Sequence, residues 1–272
     1  MVEIYMGIAY VCSLLIYMFI FMFGSMVMRG VIEEKTTRIV EVIVSSVKPF
    51  ELMLGKILGV GSVALLQFTI WILLSVGIVM GAQSIMGGDT LAKSTEMTKS
   101  IATTQGEDIA AVTQALTEDA TPFQEIMSAL GAVNFTEIII AFLAYFILGY
   151  LLYAALFAAV GSAVDNEADT QQLVLPVTIP LIIGLFLMMH TFQHPGSSLS
   201  FWGSMIPFTS PMVMMARIPF GDVPLWELGL SLALLLGTFL FMTFVSGKIY
   251  RVGILMYGKK PNWKEIVKWL KY

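Results

Sequence analysis

Charge is scarce in this chain. Lys, Arg, Asp and Glu make up 12% of its 272 residues, about half the share of an ordinary soluble domain. The formal net charge of −4 leaves no basic surplus for nucleic acid. A single cysteine, Cys12, excludes an internal disulfide framework and a thiolate metal cluster. No G-x-x-x-x-G-K-[ST] run occurs, so a P-loop nucleotide site is absent from the sequence. What is abundant is apolar: 57% of residues, with 19 Met and 18 Phe and a mean hydropathy of +0.84. Such a composition belongs to an integral membrane protein.

A helix needs roughly 20 apolar residues to cross a hydrocarbon core of about 30 Å. Five stretches qualify, at about 7–28, 57–83, 138–164, 173–193 and 225–247. Glu227, in the first turn of the fifth, is the one charge among them. The first stretch is too long for a secretory signal, and Glu3 rather than a basic residue precedes it. The expected fold class is an all-α integral membrane protein with five transmembrane helices and an amphipathic cytosolic segment. Lys and Arg collect on cytoplasmic loops. Twelve lie between spans one and two or after span five, against three (Lys93, Lys99, Arg217) on the other side. The amino terminus is therefore expected outside and the carboxyl terminus in the cytosol, across the plasma membrane.

Residues 29–50 form the most informative segment between spans. Ile32, Ile39, Val40, Ile43 and Val47 recur at helical spacing, while Glu33, Glu34, Thr37, Arg38, Glu41 and Ser45 take the other face. Glu34 precedes Arg38 by one helical turn, the favourable order for an ion pair. Two readings fit: a helix resting its apolar face on lipid, or a lever docking its polar face on a cytosolic partner. Asp165, Glu167 and Asp169 stand in the turn between spans three and four, where acids suit the positive end of the following helix; partner contact is the alternative. Pro176 and Pro180 fall in the first half of span four, predicting a bent, pathway-lining helix. The outer segment 84–137 holds eight acids against two lysines and reads as a solvated hairpin, with Gly87-Gly88 and Thr121-Pro122 as breaks and a short helix at 107–118. Residues 198–222, with Pro207, Pro211 and many aromatics and Met, read as a re-entrant or interfacial pair of short helices. The tail 259–272 opposes Trp263, Ile266, Val267 and Leu270 to Lys264, Lys268 and Lys271, an inner-leaflet anchor.

Two fragments imitate a protease. Glu33-Glu34 through Arg38 reads E-E-x-x-x-R, and Phe186 to His190 reads F-x-x-x-H, resembling motifs of the CPBP family of membrane-embedded glutamate proteases. Catalysis would need the carboxylates and histidines within hydrogen-bond reach. The topology puts about 30 Å of hydrocarbon between them, and a further H-x-x-x-N pattern lacks its Asn. An enzyme is not expected. The spans also carry too little charge for a self-contained ion-coupled carrier.

The run from Arg29-Gly30-Val31-Ile32-Glu33-Glu34-Lys35 to Arg38, continuing through Glu41, Ser45-Ser46, Pro49-Phe50-Glu51-Leu52-Met53 and Gly55-Lys56-Ile57-Leu58-Gly59, closely resembles the permeases of ABC-2-type exporters. The nearest branch is that of the NatB-like sodium-efflux permeases. Gly161-Ser162-Ala163, Asp169-Thr170-Gln171-Gln172 and Ile206-Pro207-Phe208-Thr209-Ser210-Pro211 with Arg217 extend the likeness over nearly the whole chain. The resemblance implies a permease subunit that pairs with a second permease copy and with cytosolic ABC ATPases. ATP and Mg would be bound by the ATPase, with no cofactor in this chain. Segment 29–50 would then be the coupling helix. Glu33, Glu34, Arg38 and Glu41 would dock, Asp165, Glu167 and Asp169 would add a second contact, and Pro207–Pro211 would close the outer side. Set against the family's usual six spans, the resemblance leads to the expectation that this chain starts just ahead of the second, without the first span and large outer domain. A non-transporting membrane scaffold, or a shortened permease, is the alternative. Sodium export comes from the resemblance alone.

Overall fold

A computed structural model of the chain describes residues 2–44, 46–103, 135–221, 223–256 and 263–269. Every regular element among them is helical. The elements are α1 (Val2–Thr36), α2 (Ile39–Val44), α3 (Pro49–Thr103), α4 (Phe135–Ala163), α5 (Gln171–Gln193), α6 (Ser198–Met205), α7 (Ser210–Arg217), α8 (Leu225–Gly253) and α9 (Trp263–Trp269). Two 3₁₀ turns, Glu167–Thr170 and Ile218–Phe220, precede α5 and follow α7. Five helices are long and apolar enough to cross a membrane: Tyr5–Thr36, Pro49–Ile78, Thr136–Ala163, Ala168–Gln193 and Leu225–Gly253.

Two compact units result, Met1–Ala64 with Val133–Tyr272, and Leu65–Ala132. In the second, the described part is helical as far as Thr103 and exposes Trp71, Leu73, Leu74, Ile78 and Met80. In the first, α4 is the central helix. Its window of greatest hydropathy is 61% buried, against 39% for α1, 33% for α5 and 17% for α8. Tyr145, Phe146, Leu152, Tyr153 and Phe157 of α4 are shielded almost completely. Met18, Met22, Ile182, Phe186, Leu240 and Phe244 instead point away from the core. Outward-facing side chains of that kind are at home against lipid rather than water.

Close approach of α1 to α4 depends on Gly161. A Cβ there would come within 2.7 Å of the Met28 carbonyl oxygen, an atom fixed in the α1 backbone. Small residues at helix contacts are the usual means of bringing spans together where no water drives association.

Four sequence expectations change. Residues 29–50 are not one amphipathic helix: span one extends to Thr36, and α2 is a separate piece of 6 residues. Thr36 and Thr37 turn their hydroxyls back onto the Ile32 and Glu33 carbonyls, both at 2.8 Å, competing with helix continuation. Arg38 then takes φ 56, which ends α1 and redirects the chain. The expected apolar face is divided accordingly, with Ile32 and Val40 buried but Ile39 and Val47 exposed. The outer segment 84–137 is not a hairpin from its start, because α3 runs unbroken through Gly87-Gly88 to Thr103. A glycine in a helix costs only about 1 kcal/mol, too little to stop a long one. The helix expected at 107–118 and the Thr121-Pro122 break lie outside the described residues. In the tail, α9 buries Ile266 and Trp269 and leaves Val267 outside, so its buried stripe differs from the expected one.

Candidate functional site

At one end of the first unit, α1, α4 and α8 all terminate. Each helix leaves its last carbonyls without intrahelical partners, and the negative ends of three macrodipoles converge. Lys35, in the last turn of α1, answers this. Its Nζ donates to Ser162 O at 2.8 Å and to Gly253 O at 2.9 Å, and lies 2.9 Å from Asp165 Oδ1. The side chain is 1% exposed while Asp165 is 26% exposed. One ammonium thus caps α4 and α8 together and fastens both to α1. Gly253 allows the approach, since a Cβ would meet Ser162 Oγ at 2.8 Å.

A second clasp lies beside it. Lys56 of α3 reaches back to donate to Gly30 O at 2.7 Å and pairs with Glu34 Oε2 at 2.7 Å. Tyr150 of α4 donates to Ile57 O at 2.7 Å. The start of α3 is therefore held to α1 and α4.

The expected docking residues divide into two sets. Glu34 and Asp165 face inward and belong to the clasps, and Thr36 Oγ1 donates to Asp165 O at 3.2 Å. Glu33, Arg38 and Glu41 are exposed, around the turn into α2. The i,i+4 pair expected of Glu34 and Arg38 loses its helical basis, because α1 ends before Arg38 and Glu34 engages Lys56. Asp169 is half-buried in the 3₁₀ turn, where its N–H donates to Asn166 O at 3.2 Å. The Glu167 side chain lies outside what is described.

The opposite end is built on α6 and α7, which fold as a hairpin into the bundle. Thr209 Oγ1 donates to Gly203 O at 2.6 Å and Tyr153 of α4 donates to Phe208 O at 2.8 Å, fixing the turn that carries Pro207. Pro211 is buried against Gly149 of α4, and Met212 against Gly184 of α5. Arg217, at the end of α7, donates to Ser204 Oγ at 2.7 Å and pairs with Glu227 Oε2 of α8 at 2.9 Å. Ser231 of α8 donates to Ser204 O at 2.7 Å. An interhelical clamp closes this end.

Pro207 and Pro211 are thus brought together at the hairpin. Pro176 and Pro180 sit within α5 but away from it, Pro176 exposed and Pro180 half-buried. Near them a cleft of about 1020 Å³ opens between α1 (Phe21 to Arg29) and the start of α5 (Gln171, Val174, Leu175). His190 pairs with Ser197 Oγ at 3.2 Å near the α6 end of α5. Glu33 and Glu34 lie at the other end of the bundle, which removes the glutamate-protease arrangement.

Lys35, Lys56 and the Arg217–Glu227 pair carried no role in the sequence reading beyond topology and resemblance. A signal existed for Lys35: it continues the buried stripe Val27, Met28, Val31, Ile32 at helical spacing. For Arg217 and Glu227 the signal was two opposite charges in an otherwise apolar stretch.

These features define a multi-pass, all-helical membrane protein whose helix ends are joined by buried charges. The chain belongs to the ABC-2 family of transporter proteins, whose family model matches residues 4–248. It is 27% identical over 264 residues to the uncharacterized protein YhaP of Bacillus subtilis strain 168, covering 96% of this chain and 54% of that protein. It is also 26% identical over 254 residues to the uncharacterized protein MJ1024 of Methanocaldococcus jannaschii, covering 93% of this chain and 51% of that one. The chain spans about half the length of these curated relatives. No solved structure matches it.

Proposed function

We propose that this chain is the membrane permease part of an ATP-driven exporter, working with a cytosolic ABC ATPase and a second permease copy. ATP and Mg are bound by the ATPase. The Lys35 end faces the cytosol and the α6–α7 hairpin faces outward, following the concentration of Lys and Arg around the former. The observation that carries this reading is the joint at Thr36–Arg38. There exposed Glu33 at the end of α1, Arg38 in the turn and Glu41 on the short helix α2 stand directly beside the residue that binds three helix ends together. Force applied to α2 by a closing ATPase reaches α1, α4 and α8 through Lys35 rather than through a flexible loop. Opening and closing of the cleft between α1 and α5, with the Arg217–Glu227 clamp at the far side, is the alternating-access movement. The NatB-like resemblance favours sodium or another small substrate.

Purification from the native membrane in mild detergent tests the partnership. An ABC ATPase at roughly equal stoichiometry is expected, and its loss is expected on reversing the exposed charges in Glu33→Lys/Glu41→Lys, which leaves both clasps intact. Absence of any ATPase would overturn the exporter reading. Retention of the ATPase by the double variant would remove α2 as its dock.

A further inference from the structure

Beside the clasps, the start of α3 and the last turns of α8 enclose a slot of about 570 Å³ that the coupling scheme does not use. Pro49, Phe50, Phe244 and Gly247 line it, with Lys48, Lys248 and Arg251 also on its walls. Gly247 makes the floor: a Cβ there would fall within 2.6 Å of Phe50 Cδ2, so the ring seats directly on the α8 backbone. Both rings remain largely open, Phe50 at 41% and Phe244 at 62% exposed. Lys248 Nζ stands 5.3 Å from the centre of the Phe244 ring. Glu51 lies 3.9 Å from Lys48 Nζ, and Lys48, Lys248 and Arg251 gather along the rim of the slot.

We propose that this slot binds an anionic phospholipid, its acyl chain between Phe50 and Phe244 and its phosphate against Lys248 and Arg251, with Lys48 beside the headgroup. Basic residues at span ends are by themselves ordinary topology markers. The distinguishing feature is the apolar slot between them, within the size range of about 300–1,000 Å³ usual for ligand sites. Apolar walls of this kind offer water few partners and give a free anion nothing below the rim. A molecule with a hydrocarbon tail and a negative head satisfies both parts at the depth where spans end. The assignment does not rest on the exporter reading.

The test is native mass spectrometry of the full chain extracted from vesicles of phosphatidylcholine and phosphatidylglycerol in equal amounts. The natural sequence is expected to retain phosphatidylglycerol in preference. Each basic side chain removed should reduce that preference about fivefold, so Lys248→Gln/Arg251→Gln should lose about twenty-five-fold. Lys48→Gln, whose side chain is 83% exposed and does not threaten folding, should lose about fivefold. Equal retention of the two lipids by the natural sequence would overturn the proposal, as would an unchanged preference in Lys48→Gln. Displacement of phosphatidylglycerol by inorganic phosphate alone would also overturn it, in favour of a simple anion site.

Discussion

Replacing Lys35 by Met keeps the apolar stem and removes the ammonium, and the loss is reckoned from three of its contacts. Ser162 O loses the partner that satisfies it at the end of α4, and an unsatisfied buried carbonyl costs about 1–3 kcal/mol. Gly253 O keeps a second donor, the Met256 N–H at 3.1 Å, so only the net bond of about 0.5–1.5 kcal/mol is forfeited there. Asp165 is 26% exposed and rehydrates, which limits its share to about 0–1 kcal/mol. The expected destabilisation is about 3 kcal/mol. On the scale for chains of this size that lowers the melting temperature by about 6–12 °C, readable by thermal unfolding in detergent. Asp165→Asn leaves both carbonyl contacts in place and should cost under about 1 kcal/mol. If Lys35→Met melts within about 1 kcal/mol of the natural sequence, or no lower than Asp165→Asn, the ammonium is not what joins the helix ends.

Two further substitutions probe the packing. Gly161→Ala forces a methyl group against the Met28 carbonyl and should destabilise by about 1–3 kcal/mol. Gly196→Ala, where nothing lies within 4 Å of the added Cβ, should melt no lower than the natural sequence. Arg217→Met strands Glu227, which is only 11% exposed, and should cost about 3–5 kcal/mol. Arg217→Met/Glu227→Met should regain part of that loss, and a strictly additive double-mutant cycle in thermal unfolding would show that the two charges do not interact.

The spans were legible because each combines a long apolar run with an almost complete lack of charge, and lipid leaves a chain few other options. Their ends were not, because hydropathy stops at the first charged residues whereas the backbone does not. Arg29 to Thr36 read as the start of a separate amphipathic cytosolic helix, yet α1 continues through them. Gly87-Gly88 misled in the opposite sense, since local helix propensity is weak beside the length of α3. Lys35 illustrates the harder limit. Its partners Ser162 and Gly253 lie 127 and 218 residues away, and no local pattern relates them. In isolation it counted as one more positive charge at a membrane boundary. Only its register with Val31 and Ile32 marked it as inward-facing.

The same register explains why the docking residues separated as they did. On a helix, Glu33 and Lys35 point well apart, while Glu34 falls between. Once Lys35 turns into the bundle, Glu33 must face out, and Glu34 is left at the margin, within reach of Lys56. A uniform acidic face was therefore never available across Glu33 and Glu34. The left-handed turn at Arg38 resets the helical phase, and that is why Glu41 can lie exposed on α2 although the strict α1 periodicity does not extend to it. The first turn of α8 carries Glu227 and its last turn Gly253, at the two ends of one helix of 29 residues, and each is fastened to a different neighbour by a buried cation. On the exporter reading, a rod clamped at both ends transmits displacement from the Lys35 joint to the hairpin without requiring a charge anywhere between them. The near-absence of charge along the spans is then compatible with coupling across the membrane.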